Sequence, residues 1–170
     1  EVTFDDAFVP EDMTIGGEGR GWEMVVGELA FERSGPDRFM SSFPLLVEAF
    51  NEAGPDPDRH TAVELGRLVA HLSTLRRMSS SIAGLLQAGH SPVTEAAVVK
   101  DLGTGFEQET PEVVRRVLPV SPSMPAAHGA PDADYATLQG LSQMQSVSYS
   151  LRGGTREILR GMIARGLGLR

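Results

Sequence analysis

Apolar residues recur at steps of three and four along most of the chain, and this spacing places them on one face of an α-helix. The longest run extends from Arg59 to Gln87, where these positions are Leu65, Leu68, Val69, Leu72, Leu75, Met78, Ile82, Leu85 and Leu86. Other helical segments are predicted at about 19–33, 42–50, 92–118, 135–151 and 155–167. We therefore predict an all-α protein: an up-and-down four-helix bundle with an extra C-terminal helix.

Turn residues separate these segments. Pro44 fits the first turn of a new helix, because proline in a helix interior costs roughly 3 kcal/mol. Helix caps are expected at Ser42, Asp58, Ser91, Thr155 and at either Asp132 or Asp134. Residues 119–131 contain four prolines and no periodicity, so they are predicted to form an irregular loop.

The first 15 residues differ from the rest. The segment that ends at Pro10 is acidic and contains the apolar residues Val2, Phe4, Phe8 and Val9. This pattern is typical of an edge strand. A lone strand needs a partner, and no second strand-rich segment follows. We therefore interpret residues 1–15 as a short strand-like leader from a missing β-domain and residues 16–170 as the helical bundle domain.

The first helix carries a candidate catalytic carboxylate. Trp22, Val25, Leu29 and Glu32 follow steps of three and four, which predicts a buried apolar stripe that continues into Glu32 near the break at Gly35-Pro36. A carboxylate in this place is either a solvated edge residue or a functional base. The pattern alone favours the edge residue.

Composition excludes several classes of function. The chain has no cysteine, a net charge of −8 and a single lysine, Lys100, which argues against disulfides, thiolate chemistry and a nucleic-acid surface. No apolar run is long enough to span a bilayer, so we expect a cytoplasmic protein. The four histidines lack metal-ligand spacing, and no serine lies in a nucleophile-elbow pattern. We predict no metal site, and we interpret the glycine-rich segment 16–21 as a hinge.

The segment Arg152-Gly153-Gly154-Thr155 precedes the last helix. Two glycines before a helix cap expose backbone N–H groups at the positive end of the helix, where they can hold an anion or polarise a carbonyl oxygen. A plain interhelical turn explains the same pattern more simply.

Three segments together resemble the acyl-CoA dehydrogenase family: VTFDDAFVP, GEGRGWEMVVGELAFER and LRGGTREILRGMIARGLG. They stand in the order of the last strand of that family's middle β-domain, the first helix of its C-terminal helical domain, and the turn into its final helix. The resemblance implies the C-terminal domain of an enzyme that desaturates acyl-CoA thioesters with FAD. It also implies oligomers built through these helices and an electron-transfer flavoprotein as electron acceptor.

The resemblance implies an unusual position for the base. Most members carry a glutamate in a Tyr-Glu-Gly-Thr turn, where this chain has Gly153. A minority, similar to the isovaleryl and long-chain enzymes, place it on the first C-terminal helix before an arginine, which matches Glu32 followed by Arg33. By the same matching, Gly153 and Arg33 would contact the substrate, and Gly154 and Thr155 the cofactor.

Two cofactor motifs of the family are absent. Arg-x-x-Phe-Gly is expected near 53–67 and Gln-x-x-Gly-Gly-x-Gly near the proline-rich loop, and neither is present. These losses leave an alternative open: a noncatalytic helical assembly domain, or one subunit of a heteromeric dehydrogenase that has lost FAD binding. The isolated segment is expected to be inactive.

Overall fold

The structure, a computed structural model, describes residues 2–124 and 134–169. Its six α-helices are α1 (Gly21–Ser34), α2 (Phe43–Ala53), α3 (Arg59–Gln87), α4 (Val93–Val117), α5 (Tyr135–Ser146) and α6 (Arg156–Gly166). Short 3-10 turns occupy Glu11–Met13, Pro36–Arg38 and Val147–Ser150. The predicted all-α bundle is confirmed, and the described residues contain no strand.

α4 lies at the centre of the bundle and contacts α1, α2, α3, α5 and α6. Its most extensive neighbour is α3, to which residues 88–92 join it, so the two long helices form a hairpin. The core consists mainly of aliphatic residues from α2, α3 and α4, closed by aromatic rings: Leu45, Leu46, Ala49, Leu65, Leu68, Leu75, Ile82, Ala96, Val99, Val113, Val114, Phe39, Phe106 and Tyr135. None of the described helices combines the length and apolar character of a bilayer crossing.

Most of the predicted boundaries agree with the structure. Ser42 occupies the N-cap position of α2 with a proline in the first turn, although its hydroxyl makes no capping bond. Asp58 accepts from the N–H groups of His60 (2.8 Å) and Thr61 (3.2 Å), which confirms the cap of α3.

The other predicted caps have different outcomes. Asp134, rather than Asp132, caps α5 by accepting from the N–H of Thr137 at 2.8 Å. Ser91 does not cap α4, because Pro92 itself occupies the N-cap position. The N-cap of α6 is Thr155, whose side chain makes no capping bond. Residues 119–124 are irregular as predicted, and the rest of the proline-rich loop, with His128 and Asp132, lies outside the described residues.

The leader differs from the strand expected there. Residues 2–10 are exposed and irregular, and a 3-10 turn follows them. A strand requires hydrogen bonds to a neighbouring strand, and the described part of the chain offers none. The proposed boundary between 15 and 16 stays a prediction.

The apolar stripe predicted along α1 is not buried. Trp22 is 81% exposed and Val25 54% exposed, whereas Ala30, Arg33 and Ser34 are buried. The contacts of α1 with α3 and α4 therefore involve the C-terminal half of the helix. In the N-terminal half, the side chains of Trp22 and Val25 stay largely exposed.

Candidate functional site

The end of α1 lies against the turn that precedes α6. A Cβ atom built on Gly153 would lie 3.3 Å from Oε1 of Glu32 and 3.7 Å from Cγ of Arg33. The structure thus brings together two segments that are separated by 120 positions in sequence. Three of the predicted site residues, Glu32, Arg33 and Gly153, share one location.

Arg38 holds the carboxylate of Glu32. Its Nη2 donates to Oε1 at 2.6 Å, and its Nε donates to the backbone carbonyl of Glu32 at 3.1 Å. The guanidinium belongs to the 3-10 turn that begins at Pro36, so the break after α1 supplies this partner. The Glu32 side chain retains 33% exposure, which leaves part of the carboxylate open to a ligand.

Arg33 contacts the turn before α6 and α6 itself. Its Nε donates to the carbonyl of Gly153 at 3.0 Å, and its Nη1 lies 3.6 Å from Sδ of Met162 on α6. Arg33 is buried and forms no ion pair with a carboxylate in the described parts of the chain. Burial lowers its pKa, and the neighbouring charge of Glu32 opposes this effect.

Glycine is required in the turn itself. Gly153 has φ 68° and Gly154 has φ 107°, a conformation that side chains disfavour. The first N–H groups of α6 have no partner within the helix, and the hydroxyl of Thr155 does not cap them. The positive end of α6 therefore begins two residues after Gly153, the part of the turn that lies next to Glu32.

Beneath the turn lies a cluster of buried charges that sequence reasoning missed. Glu107 is fully buried and accepts from Nη2 of Arg152 at 2.7 Å and from the N–H of Ser41 at 2.8 Å. The guanidinium of Arg152 also lies 4.7 Å from the centre of the Tyr149 ring. Lys100 is fully buried and donates to the carbonyl of Tyr149 at 2.9 Å and to the hydroxyl of Thr104.

A signal for this cluster was present in the sequence. Lys100, Thr104 and Glu107 follow steps of four and three, so all three share one face of α4. Phe106 neighbours them on the inner side of the helix. Charged residues among inner positions of a central helix indicate buried partners elsewhere, but the spacing does not say which residues these are.

The described part of the site contains no arrangement for a metal ion. Over residues 2–124 and 134–169, no group of three or more histidine, aspartate or glutamate side chains is placed to ligate one. The carboxylates near the turn are instead occupied by guanidinium groups, as Glu32 is by Arg38 and Glu107 by Arg152.

A solved structure shares this architecture. It is the Tcur3481–Tcur3483 steroid acyl-CoA dehydrogenase (ACAD), in a variant with a glycine-to-alanine substitution, and it superposes with a TM-score of 0.74. The chain has the fold of part of that dehydrogenase. The match covers 95% of this chain at 22% identity, so it confirms the predicted resemblance to the acyl-CoA dehydrogenases at the level of the fold.

The chain spans 43% of the length of the acyl-CoA dehydrogenase chain that it matches. No family model matches the sequence. No curated protein matches it either.

Proposed function

We propose that the chain is the C-terminal helical domain of an FAD-dependent acyl-CoA dehydrogenase-like enzyme. The reaction is α,β-desaturation of an acyl-CoA thioester: a base removes the α-proton, and the β-hydrogen leaves as hydride. Glu32 is the proposed base. The matched dehydrogenase chain is more than twice as long as the aligned part, and the remaining domains of the proposed enzyme would complete the pocket.

The placement of Glu32 against Gly153 supports this proposal most directly. The resemblance places the usual base of the family at position 153, and the glutamate at 32 extends its carboxylate to within 3.3 Å of where a side chain at 153 would begin. A carboxylate from α1 therefore reaches the space that a glutamate of the turn would occupy. Two carboxylates in that space would repel each other, so glycine at 153 fits the presence of Glu32.

The other residues of the turn have distinct proposed roles. The N–H of Gly153 polarises the thioester carbonyl, which acidifies the α-carbon and stabilises the charge that develops on oxygen. Arg33 fixes the orientation of this peptide by holding the carbonyl of Gly153 at 3.0 Å. Arg38 orients the carboxylate of Glu32, and the remaining domains of the proposed enzyme would exclude bulk water from it.

Gly154 and Thr155, which precede α6, are the proposed contacts of the flavin. Thr155 keeps its hydroxyl off the backbone of α6, and the positive end of the helix suits an electron-rich ring edge. Bound FAD supplies a hydride acceptor. Gly154, without a side chain, allows a ring to approach the backbone closely.

The remaining proposals concern the assembled protein. We place it in the cytoplasm as an oligomer, homomeric or heteromeric, formed through the helical domain, with an electron-transfer flavoprotein as acceptor. The name of the structural neighbour joins two components, which agrees with a heteromeric arrangement.

The test is substitution of Glu32 in the complete flavoprotein. Glu32→Gln should abolish acyl-CoA-dependent bleaching of the flavin while leaving the FAD content unchanged, because the amide keeps the shape of the carboxylate and loses its basicity. The matched control is Glu28→Gln, one turn earlier on α1 at an exposed position, which should bleach at the wild-type rate.

Two results would contradict the proposal. Bleaching at the wild-type rate in Glu32→Gln would remove Glu32 from the mechanism. A complete protein that is colourless, forms a stable oligomer and takes up no added FAD would favour the noncatalytic assembly domain.

A further inference from the structure

Among the residues that the structure describes, no carboxylate is in direct contact with the buried cation Lys100. It is the only lysine of the sequence and is fully buried on α4. Its ammonium group donates to two neutral acceptors, the carbonyl of Tyr149 and the hydroxyl of Thr104. A buried ammonium is normally paired, because removing it from water is costly. The nearby carboxylate of Glu107 is already engaged by Arg152 and by a backbone N–H.

The location of Lys100 is the turn of the candidate site. Its Cε lies 3.6 Å from the Cβ position built on Gly153, and Oε1 of Glu32 lies 3.3 Å from the same point. Gly153 is therefore in contact distance of both side chains. The carbonyl that Lys100 holds, that of Tyr149, belongs to the 3-10 segment that leads into the turn.

We propose that Lys100 is a positioning residue of the site, which fixes the Tyr149–Thr155 segment and places a positive charge beneath the Gly153 peptide. This inference rests on the proposed function and adds to it a residue that the resemblance did not assign. The positive charge strengthens the polarisation of the thioester by the Gly153 peptide. It also acts electrostatically on Glu32, which lies against the same peptide. Lys100 itself does not react with the substrate.

The charge of Lys100 is the part of this arrangement that changes with pH. Four charged groups face it: Glu32 from α1, Arg38 from the turn before α2, Glu107 from α4 itself and Arg152 from the segment before α6. Burial lowers the pKa of Lys100 to about 8, and the carboxylate of Glu107 opposes the shift. Lys100 therefore loses its charge as the pH rises through about 8.

The first experiment needs no catalysis. The protein is labelled with ¹⁵N-glycine, and the amide signals of Gly153 and of Gly54, which follows α2, are recorded from pH 6 to 10. The Gly153 signal should move with a midpoint near pH 8 in the wild type. In Lys100→Met, a variant of similar volume, this movement should disappear, while Gly54 behaves alike in both proteins.

The second experiment uses the complete flavoprotein. The rate of acyl-CoA-dependent flavin bleaching should fall in the wild type as the pH rises above about 8, because the protonated form of Lys100 is the effective one. Lys100→Arg keeps the charge and should move this fall to higher pH by about one unit or more. Lys100→Met should bleach about 10-fold or more slowly at pH 7, with the FAD content unchanged.

The outcomes separate the two proposals. A Gly153 signal without a midpoint near pH 8, or a Lys100→Arg enzyme with the wild-type alkaline fall, overturns the role of Lys100. Neither result affects the Glu32→Gln test, so the proposed function would stand. If the wild-type flavoprotein shows no acyl-CoA-dependent bleaching, the proposed function fails, and the inference that rests on it fails too.

Discussion

At the scale of single residues, position 153 shows why a small residue matters in this fold. Gly153 has a positive φ, and Glu32, Arg33 and Lys100 all lie within 3.3–3.7 Å of the place where its Cβ would be. The backbone conformation therefore disfavours a side chain, and a Cβ there would also require the Glu32 carboxylate to shift slightly.

Gly153→Ala should destabilise the protein by about 1 kcal/mol, because a left-handed backbone costs this much for a residue with a Cβ. The new methyl group should also displace Glu32 and slow flavin bleaching. Urea unfolding and the bleaching assay measure the two effects.

Gly161→Ala provides the control on α6. A Cβ built on Gly161 meets no atom within 4 Å, so alanine there should stabilise the helix by up to about 1 kcal/mol. Changes of the same sign in the two variants would show that position 153 has no special constraint.

At the scale of elements, α4 carries both the core and the charges beneath the site. Val99, Phe106 and Val113 pack into the interior, and Lys100 and Glu107 lie equally deep. The carboxylate of Glu107 is bonded by partners from the loop before α2 and the segment before α6, whereas the described acceptors of Lys100 are neutral. α4 therefore links the site to the bundle.

Glu107→Gln should lower the free energy of unfolding by about 2 kcal/mol, since it leaves the Arg152 guanidinium without its buried carboxylate. Glu112→Gln on the same helix should change it by less than about 0.5 kcal/mol, because the Glu112–Arg115 pair is solvated. Chemical denaturation of both variants compares them. Equal losses would contradict the buried role of Glu107.

The sequence predicted the positions of the helices better than their burial and their side-chain contacts. Pro44 and the Asp58 cap marked where helices begin because their effects are local. Burial along α1 was wrong at Trp22 and Val25, since periodicity shows which residues share a face but not whether a neighbour covers it. The partners of Glu107 were not predictable, because they come from distant segments.

At the scale of the whole molecule, the described chain has an uncovered face. The N-terminal half of α1 and the leader before it present Phe4, Phe8, Trp22 and Val25 to solvent. In the proposed enzyme, the domains beyond this chain would cover this face.

Trp22, the only tryptophan of the sequence, reports on this surface. Acrylamide should quench its fluorescence strongly in the 170-residue chain and weakly in the complete protein, because the added domains shield the ring. Trp22→Ala should change the stability of the chain by less than about 0.5 kcal/mol. Phe39→Ala, at a fully buried ring, should cost about 3 kcal/mol or more. Weak quenching in the 170-residue chain would contradict the exposed position of α1.

If Glu32 is the base, as proposed, its closeness to Gly153 also constrains how the enzyme can evolve. Transfer of the base between α1 and the turn requires changes at two positions, 32 and 153. If the glutamate at 32 is lost first, the intermediate protein has no base. If a glutamate at 153 is gained first, the intermediate protein has two carboxylates in one space, and they repel each other. Lineages that use one arrangement are therefore expected to keep it, and a switch between them calls for a duplicated gene in which one copy is relieved of selection.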